Sequence, residues 1–248
     1  MKKLLCLALV AVMMLSFAAC GAKESNTLKI GYTIYEPMNY MADGKLTGFD
    51  TEFAEAVCEK LGLTPEFIEI NWDTKFVTLD AKQIDCIWNG MTISDEVKAN
   101  CDVSKAYVKN AQVVVMAKDK IQKFADAESL KGLKFAAEAG SAGEAAIKDN
   151  GLDSNYSPVA AQTDALLAVI GGQADACVID ITMAKSMTAE GTSYDSLGYS
   201  IELTTEEYGI GFRKESDLTE KVNTAIDELK ADGTLDALAE KYELNLAL

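Results

Sequence analysis

Hydrophobic positions along this chain follow two periods, one of two residues and one of three to four. Residues 28–32, Leu-Lys-Ile-Gly-Tyr, read as a first strand. A loop follows at Tyr35-Glu36-Pro37-Met38, then a turn at Ala42-Asp43-Gly44-Lys45. Phe53, Val57 and Leu61 recur every fourth residue, which predicts a helix with Asp50 as its amino cap and Gly62 at its end. Residues 66–70 read as a second strand, and Trp72-Asp73 opens a helix through about residue 81. The apolar run at residues 84–88 reads as a third strand, ending at Asn89-Gly90. The order β-α-β-α-β predicts a parallel sheet with right-handed crossovers.

The same rhythm then repeats. Residues 112–116 read as a strand, and residues 134–137 as another, followed by the small-residue loop Ala139-Gly140-Ser141-Ala142-Gly143 that leads into a helix. Residues 163–170 are a predicted helix, residues 175–179 a strand ending at Asp180, and residues 208–212 a late strand. Helices at residues 217–229 and 234–244 are separated by Asp232-Gly233. Two α/β units in series follow from this, each with strands that end in small or polar residues. Ligands of such sheets bind outside the carboxyl ends of the strands, so the two sets of ends are expected to face one another across a cleft.

The amino terminus is a separate matter. Lys2 and Lys3 precede an apolar run that ends in Phe17-Ala18-Ala19-Cys20, the pattern of a secretory signal peptide over residues 1–19. The Ala-Ala-Cys ending resembles the lipobox of bacterial lipoproteins, with Phe17 where that motif more often has Leu. Lipidation of Cys20 and a polar linker over residues 20–26 are therefore expected, with the body held at the outer face of the cell membrane. No further apolar stretch is long enough to span a bilayer.

Composition narrows the chemistry. The 248 residues are 49% hydrophobic and 25% charged, with a net charge of −16. So acidic a chain has no electrostatic footprint for nucleic acid and no polybasic patch for anionic lipid. Histidine is absent, and Arg213 is the one arginine. Catalysis through a histidine base and a histidine-ligated zinc are thereby excluded, and no cofactor or metal is expected. Cys58, Cys86, Cys101 and Cys177 fall in helix or strand patterns without CxxC spacing and read as buried free thiols, though one disulfide is open. Trp88 reads as core and Arg213 as a structural group.

Six blocks in order carry a family resemblance: TGFDTEFAEAVCEKLG, NWDTKFVTLDAKQIDCIWNGMTIS, KGLKFAAEAGSAGE, GGQADACVID, YGIGFRK and LKADGTLDALAEKY. Together they resemble the extracellular solute-binding proteins of ABC transporters that take polar amino acids. The resemblance implies an α/β, two-lobe periplasmic-binding-protein-like (type II) fold: two parallel or mixed sheets flanked by helices, with two hinge crossings near residues 107–111 and 207–211. Lobe one would comprise residues 27–109 and 209–248, and lobe two residues 110–208. It also implies a monomer that closes on its solute by hinge motion and delivers it to a membrane permease.

By the same resemblance, the Gly90 carbonyl, with Met91 and the Thr92 hydroxyl beside it, holds the solute. Asp180 pairs with its ammonium, Tyr35 and Trp72 sandwich its side chain, and Ser141 with the N–H groups after it, from Ala142 on, receives its carboxylate at a helix start. The family's usual arginine for that carboxylate falls on Val97, next to Lys98, and Glu138 stands where the family often has a neutral or basic residue. Three accounts follow. Lys98 reaches in; helix starts near Ser94 and Ser141 hold the carboxylate alone; or the solute is a cation with no essential carboxylate. The plainer readings are that Asp180, Thr92, Ser94 and Ser141 cap helices, Trp72 staples a helix under a loop, Tyr35 is a surface loop aromatic, and Glu138 faces solvent. A dehydratase-type enzyme on the same fold, with Glu138 and Asp180 as its acid–base pair, is the catalytic alternative. A sensory module is disfavoured because no later spanning segment is found.

Overall fold

The computed structural model describes residues 26–248. The expected signal peptide, Cys20 and nearly all of the linker lie outside the described residues. Strand β1 (Thr27–Tyr32) leads to the hairpin β2 (Tyr40–Ala42) and β3 (Lys45–Thr47), which the Asp43-Gly44 turn connects. Helix α1 (Phe49–Leu61), strand β4 (Thr64–Glu69), a 3-10 turn at Trp72–Thr74, helix α2 (Lys75–Asp80), strand β5 (Cys86–Thr92) and helix α3 (Asp95–Asn100) follow. Short strands β6 (Asp102–Val103) and β7 (Val108–Asn110) lead to the second lobe. That lobe holds β8 (Gln112–Ala117), β9 (Phe135–Glu138), helix α4 (Ala142–Asp149), β10 (Tyr156–Val159), α5 (Gln162–Ile170), β11 (Ala176–Asp180), α6 (Ile181–Met187) and β12 (Leu197–Glu202). Strand β13 (Glu206–Phe212) returns, and α7 (Leu218–Ala231) and α8 (Thr234–Lys241) pack on the first lobe.

The first sheet has the order β4-β1-β5-β13-β6, with β7 on β13; the second has the order β10-β9-β11-β8-β12. In both, the parallel core is flanked by antiparallel strands, so each sheet is mixed. The return strand arrives from the other lobe and enters the first sheet against the direction of β5. The chain crosses from β1 to β4 on one side and to β5 on the other, and it does the same around β9 with β10 and β11. Each reversal opens a crevice at the carboxyl ends of the strands. Those ends carry Gly90, Met91 and Thr92 in one lobe and Glu138 and Asp180 in the other.

Side chains alternate across β5 and build a core on each face. Cys86 and Trp88 pack in the large cluster with Phe53 and Val57 of α1 and Ile226 of α7, whereas Ile87 and Met91 pack with Trp72, Leu79 and Val97. Arg213 bonds the Asp85 carboxylate at 2.9 Å and the Ile84 carbonyl at 2.5 Å, a structural role. All four described cysteines are buried and free.

Two expectations about this region need correction. Strand β5 does not end at Asn89-Gly90 but runs on to Thr92. Gly90 sits in it at φ +57°, where the register with β13 slips between Met91 and Ile87. Asp50 is not the cap of α1; Gly48 takes that place. At the second residue of α1, the buried Asp50 carboxylate instead accepts the Gly90 N–H at 2.6 Å and the Tyr107 hydroxyl at 3.0 Å. A methyl added at Gly90 would lie 2.6 Å from Tyr35 Cε1 and 3.1 Å from Tyr208 Cε2, in a left-handed conformation that disfavours any Cβ. Gly90→Ala should therefore cost about 1–3 kcal/mol and lower the thermal midpoint by roughly 3–10 °C; an unchanged midpoint in calorimetry would show that the rings give way freely.

Candidate functional site

A cavity of about 190 Å³ lies where the two sets of strand ends meet. Trp72, Lys75, Gly90, Met91, Thr92 and Val97 line it from the first lobe. Glu138, Ser141, Ala142, Gln162 and Asp180 line it from the second, and Glu206 of the return strand closes it. A wider groove of about 520 Å³, lined by Glu36, Lys109, Thr182, Lys185 and Tyr242, also lies between the lobes but holds none of the residues at the parallel-strand ends.

The floor of the cavity is a carboxylate cluster. Asp180 Oδ1 accepts from Asn110 at 2.5 Å, Gln112 at 2.9 Å and the Tyr208 hydroxyl at 2.7 Å, and Oδ2 accepts from Gln162 at 2.6 Å. Glu206 Oε1 accepts from the same two amides, at 2.6 and 2.8 Å, and from the Thr92 hydroxyl at 2.7 Å. Asp180 precedes α6, but its side chain makes no cap bond. Burial and the charge of Glu206 push its carboxyl up to about 7.

Other positions resolve one by one. Ser94 and Ser141 do cap helices, accepting from the N–H groups of Val97 and Glu144, each at 3.2 Å. Glu144 reaches back to the Gly140 N–H at 2.7 Å, which completes a capping box at the start of α4. Trp72 is a buried wall of the cavity, under the Lys75 ammonium 4.9 Å from its ring centroid. Glu138, expected by the plainer reading to face solvent, is only 4% exposed and lines the cavity. Its carboxyl has no hydrogen-bond partner among the described residues. Burial pushes it up to about 8, Asp180 adds to the rise, and Lys75 opposes it.

Two predicted residues lie elsewhere. Tyr35 is 2% exposed and does not line the cavity. Its hydroxyl is 2.5 Å from both Thr182 Oγ1 and the Tyr208 hydroxyl, so it ties the first lobe to the second behind the floor. The bulk of its ring explains this, because it fills the space that the missing side chain of Gly90 leaves. Lys98 is exposed on α3, turned about 100° from the lining Val97 as consecutive helical residues are.

Sequence reasoning missed Lys75 and Glu206. Lys75 is 4% exposed and the sole cation lining the cavity among the described residues. It donates to the Trp72 carbonyl at 3.3 Å and, across the cleft, to the Gly140 carbonyl at 2.8 Å. Burial lowers its pKa, against the pull of Glu96 and Glu138. The signal lay in a lysine on the first turn after Trp72-Asp73. Glu206 had none beyond its nearness to the return strand.

Three buried acids thus titrate high: Asp50 at about 7, Asp180 at about 7 and Glu138 at about 8. The folded state holds their protons more tightly than the unfolded chain, so the stability they contribute is full below about pH 4 and is lost as pH rises through 7 to 8. The solute-free thermal midpoint should rise as pH falls from 8 to 5, and the rise should be smaller in Glu138→Gln. Equal slopes for the two proteins would exclude a high-titrating Glu138.

Comparison with known proteins agrees with this architecture. A probable histidine-binding protein of Campylobacter jejuni is 34% identical over 98% of this chain and 100% of its own. An ancestral arginine-binding protein, solved with arginine bound, superposes with a TM-score of 0.82 at 32% identity, over 88% of this chain and 98% of that one. An ancestral amino-acid-binding protein described as a precursor of cyclohexadienyl dehydratase superposes with a TM-score of 0.81 at 30% identity, over 88% and 95% of the two chains. The family model for bacterial extracellular solute-binding proteins, family 3, matches residues 28–245, and the chain belongs to that family.

Proposed function

We propose that this protein is the amino-acid-capturing component of an ABC importer: it closes two lobes around one zwitterionic solute and hands it to a permease. The observation that carries this reading is the interlobe cavity lined by the carboxylates Glu138, Asp180 and Glu206 together with Ser141 and Ala142 at the start of α4. The Gly90 carbonyl and the Asp180 carboxylate face the solute ammonium. The first N–H groups of α4, from Ala142 on, face its carboxylate, a favourable place for an anion. Lys75 supplies the cation that Val97 does not, and exposed Lys98 is not needed for it.

Closure bends the chain where β7 and β13 run side by side, between a lobe of residues 27–109 with 209–248 and a lobe of residues 110–208. The protein acts as a monomer, tethered through a lipid on Cys20, and the permease docks on the tips of both lobes. It binds and releases without turnover. Asp180, which the dehydratase reading would make half of an acid–base pair, is already held by four donors.

The test is thermal unfolding of the full-length protein with the common amino acids and their decarboxylated amines. A solute at a hundred times its dissociation constant adds about 2.7 kcal/mol, roughly 5–10 °C for a chain of this size. An amino acid should raise the midpoint and its amine should not. A rise with carboxylate-free cations alone would overturn amino-acid capture.

A further inference from the structure

We infer that Glu138 sets the class of solute: its carboxylate takes a cationic group on the solute's side chain, so the cleft is built for amino acids that carry a second positive charge. The inference rests on the amino-acid reading above.

Three carboxylates line the inner cavity, and they are not in the same condition. Asp180 has four donors in the protein, three of them on one oxygen. Glu206 also has four, from Asn110, Gln112, Thr92 and, at 3.2 Å, Thr204. A carboxylate offers about four lone-pair sites, so both are largely satisfied from within. Glu138 is 4% exposed, lines the same cavity and has no hydrogen-bond partner among the described residues. Ionised carboxylates are rarely buried unless a cation or several donors meet them. The one nearby cation acts on Glu138 only at a distance, because the Lys75 ammonium donates to the Trp72 and Gly140 carbonyls instead. The Glu138 carboxyl can therefore pair with a group that arrives with the solute.

The surroundings fit such a group. The Trp72 ring lines the cavity and gives an apolar surface for the stem of a long side chain. The strand end that carries Glu138 leads through Gly140 to Ser141, so the side-chain reader and the helix start that receives the carboxylate sit three residues apart on one loop. A solute with both groups can thus be held at two points of the second lobe while the first lobe closes over it.

The experiment is calorimetric titration of the full-length protein with two near-isosteric pairs, L-lysine against L-norleucine and L-arginine against L-citrulline, and with agmatine. Wild-type protein should prefer the charged member of at least one pair by about 10- to 100-fold, the range of a charge-assisted hydrogen bond. In Glu138→Gln that ratio should fall to near one, and Glu138→Asp should keep part of it. A ratio unchanged in Glu138→Gln overturns the inference, as does an equal loss for both members, which would mark a merely structural residue. Binding of agmatine alone, lost in Glu138→Gln, would sink amino-acid capture yet leave the cation-reading role of Glu138 standing. No binding of any of the five would overturn the inference and leave amino-acid capture to the wider panel of amino acids above.

Discussion

Two carboxylates, Asp180 and Glu206, are held side by side without a cation, by the side-chain amides of Asn110 and Gln112, which donate to both. The four residues come from β11, β13, β7 and β8, and Thr92 adds β5. One hydrogen-bonded cluster thus joins the strand that leaves the first lobe, the strand that returns to it, and the strand ends that face the solute. Burial, with the charge of Glu206 beside it, pushes the Asp180 carboxyl up to about 7. The arrangement makes geometry and charge inseparable here. Loss of either amide would leave a buried carboxylate short of donors, at a cost greater than that of an ordinary hydrogen bond.

The fold was largely legible because its signals are local and repeated. The β-α rhythm, the glycines that end helices and strands that stop at small residues all follow from backbone preference and from burial of one face. The antiparallel additions were less visible, since a return strand reads like any other and only its partner fixes its direction. The hairpin of β2 and β3 was seen as a turn, although Asp43-Gly44 is its turn chemistry. Its strands are three residues each and mostly exposed, too short for a period to register.

The site was legible where a motif supplied it and obscure where packing decided. Thr92, Ser141 and Asp180 sit at strand or helix ends, positions that sequence can locate, and Gly90 lies two residues inside one. Tyr35 was misplaced because an aromatic in a loop gives no sign of its depth; its ring is claimed by the gap at Gly90 and its hydroxyl by Thr182 and Tyr208. Lys75 was overlooked because lysine is the residue least expected inside. Four groups outweigh that expectation: two carbonyls, the Trp72 ring and the Phe76 ring 4.7 Å away. Glu138 was recognised as unusual for its charge, but its burial needed coordinates.

The four free cysteines among the described residues give the molecule a set of internal clocks. Cys58, Cys86 and Cys101 belong to the first lobe and Cys177 to the second, and burial raises the thiol pKa of every one, to about 11 even for Cys58 and Cys101. A thiol so placed meets an alkylating reagent only when its own neighbourhood opens. Each labelling rate is then a measure of how often one region of one lobe breathes, and the first lobe's three positions sample a helix, a central strand and the turn after α3 separately. Rigid-body closure leaves these interiors intact, so the clocks tell local unfolding apart from the hinge.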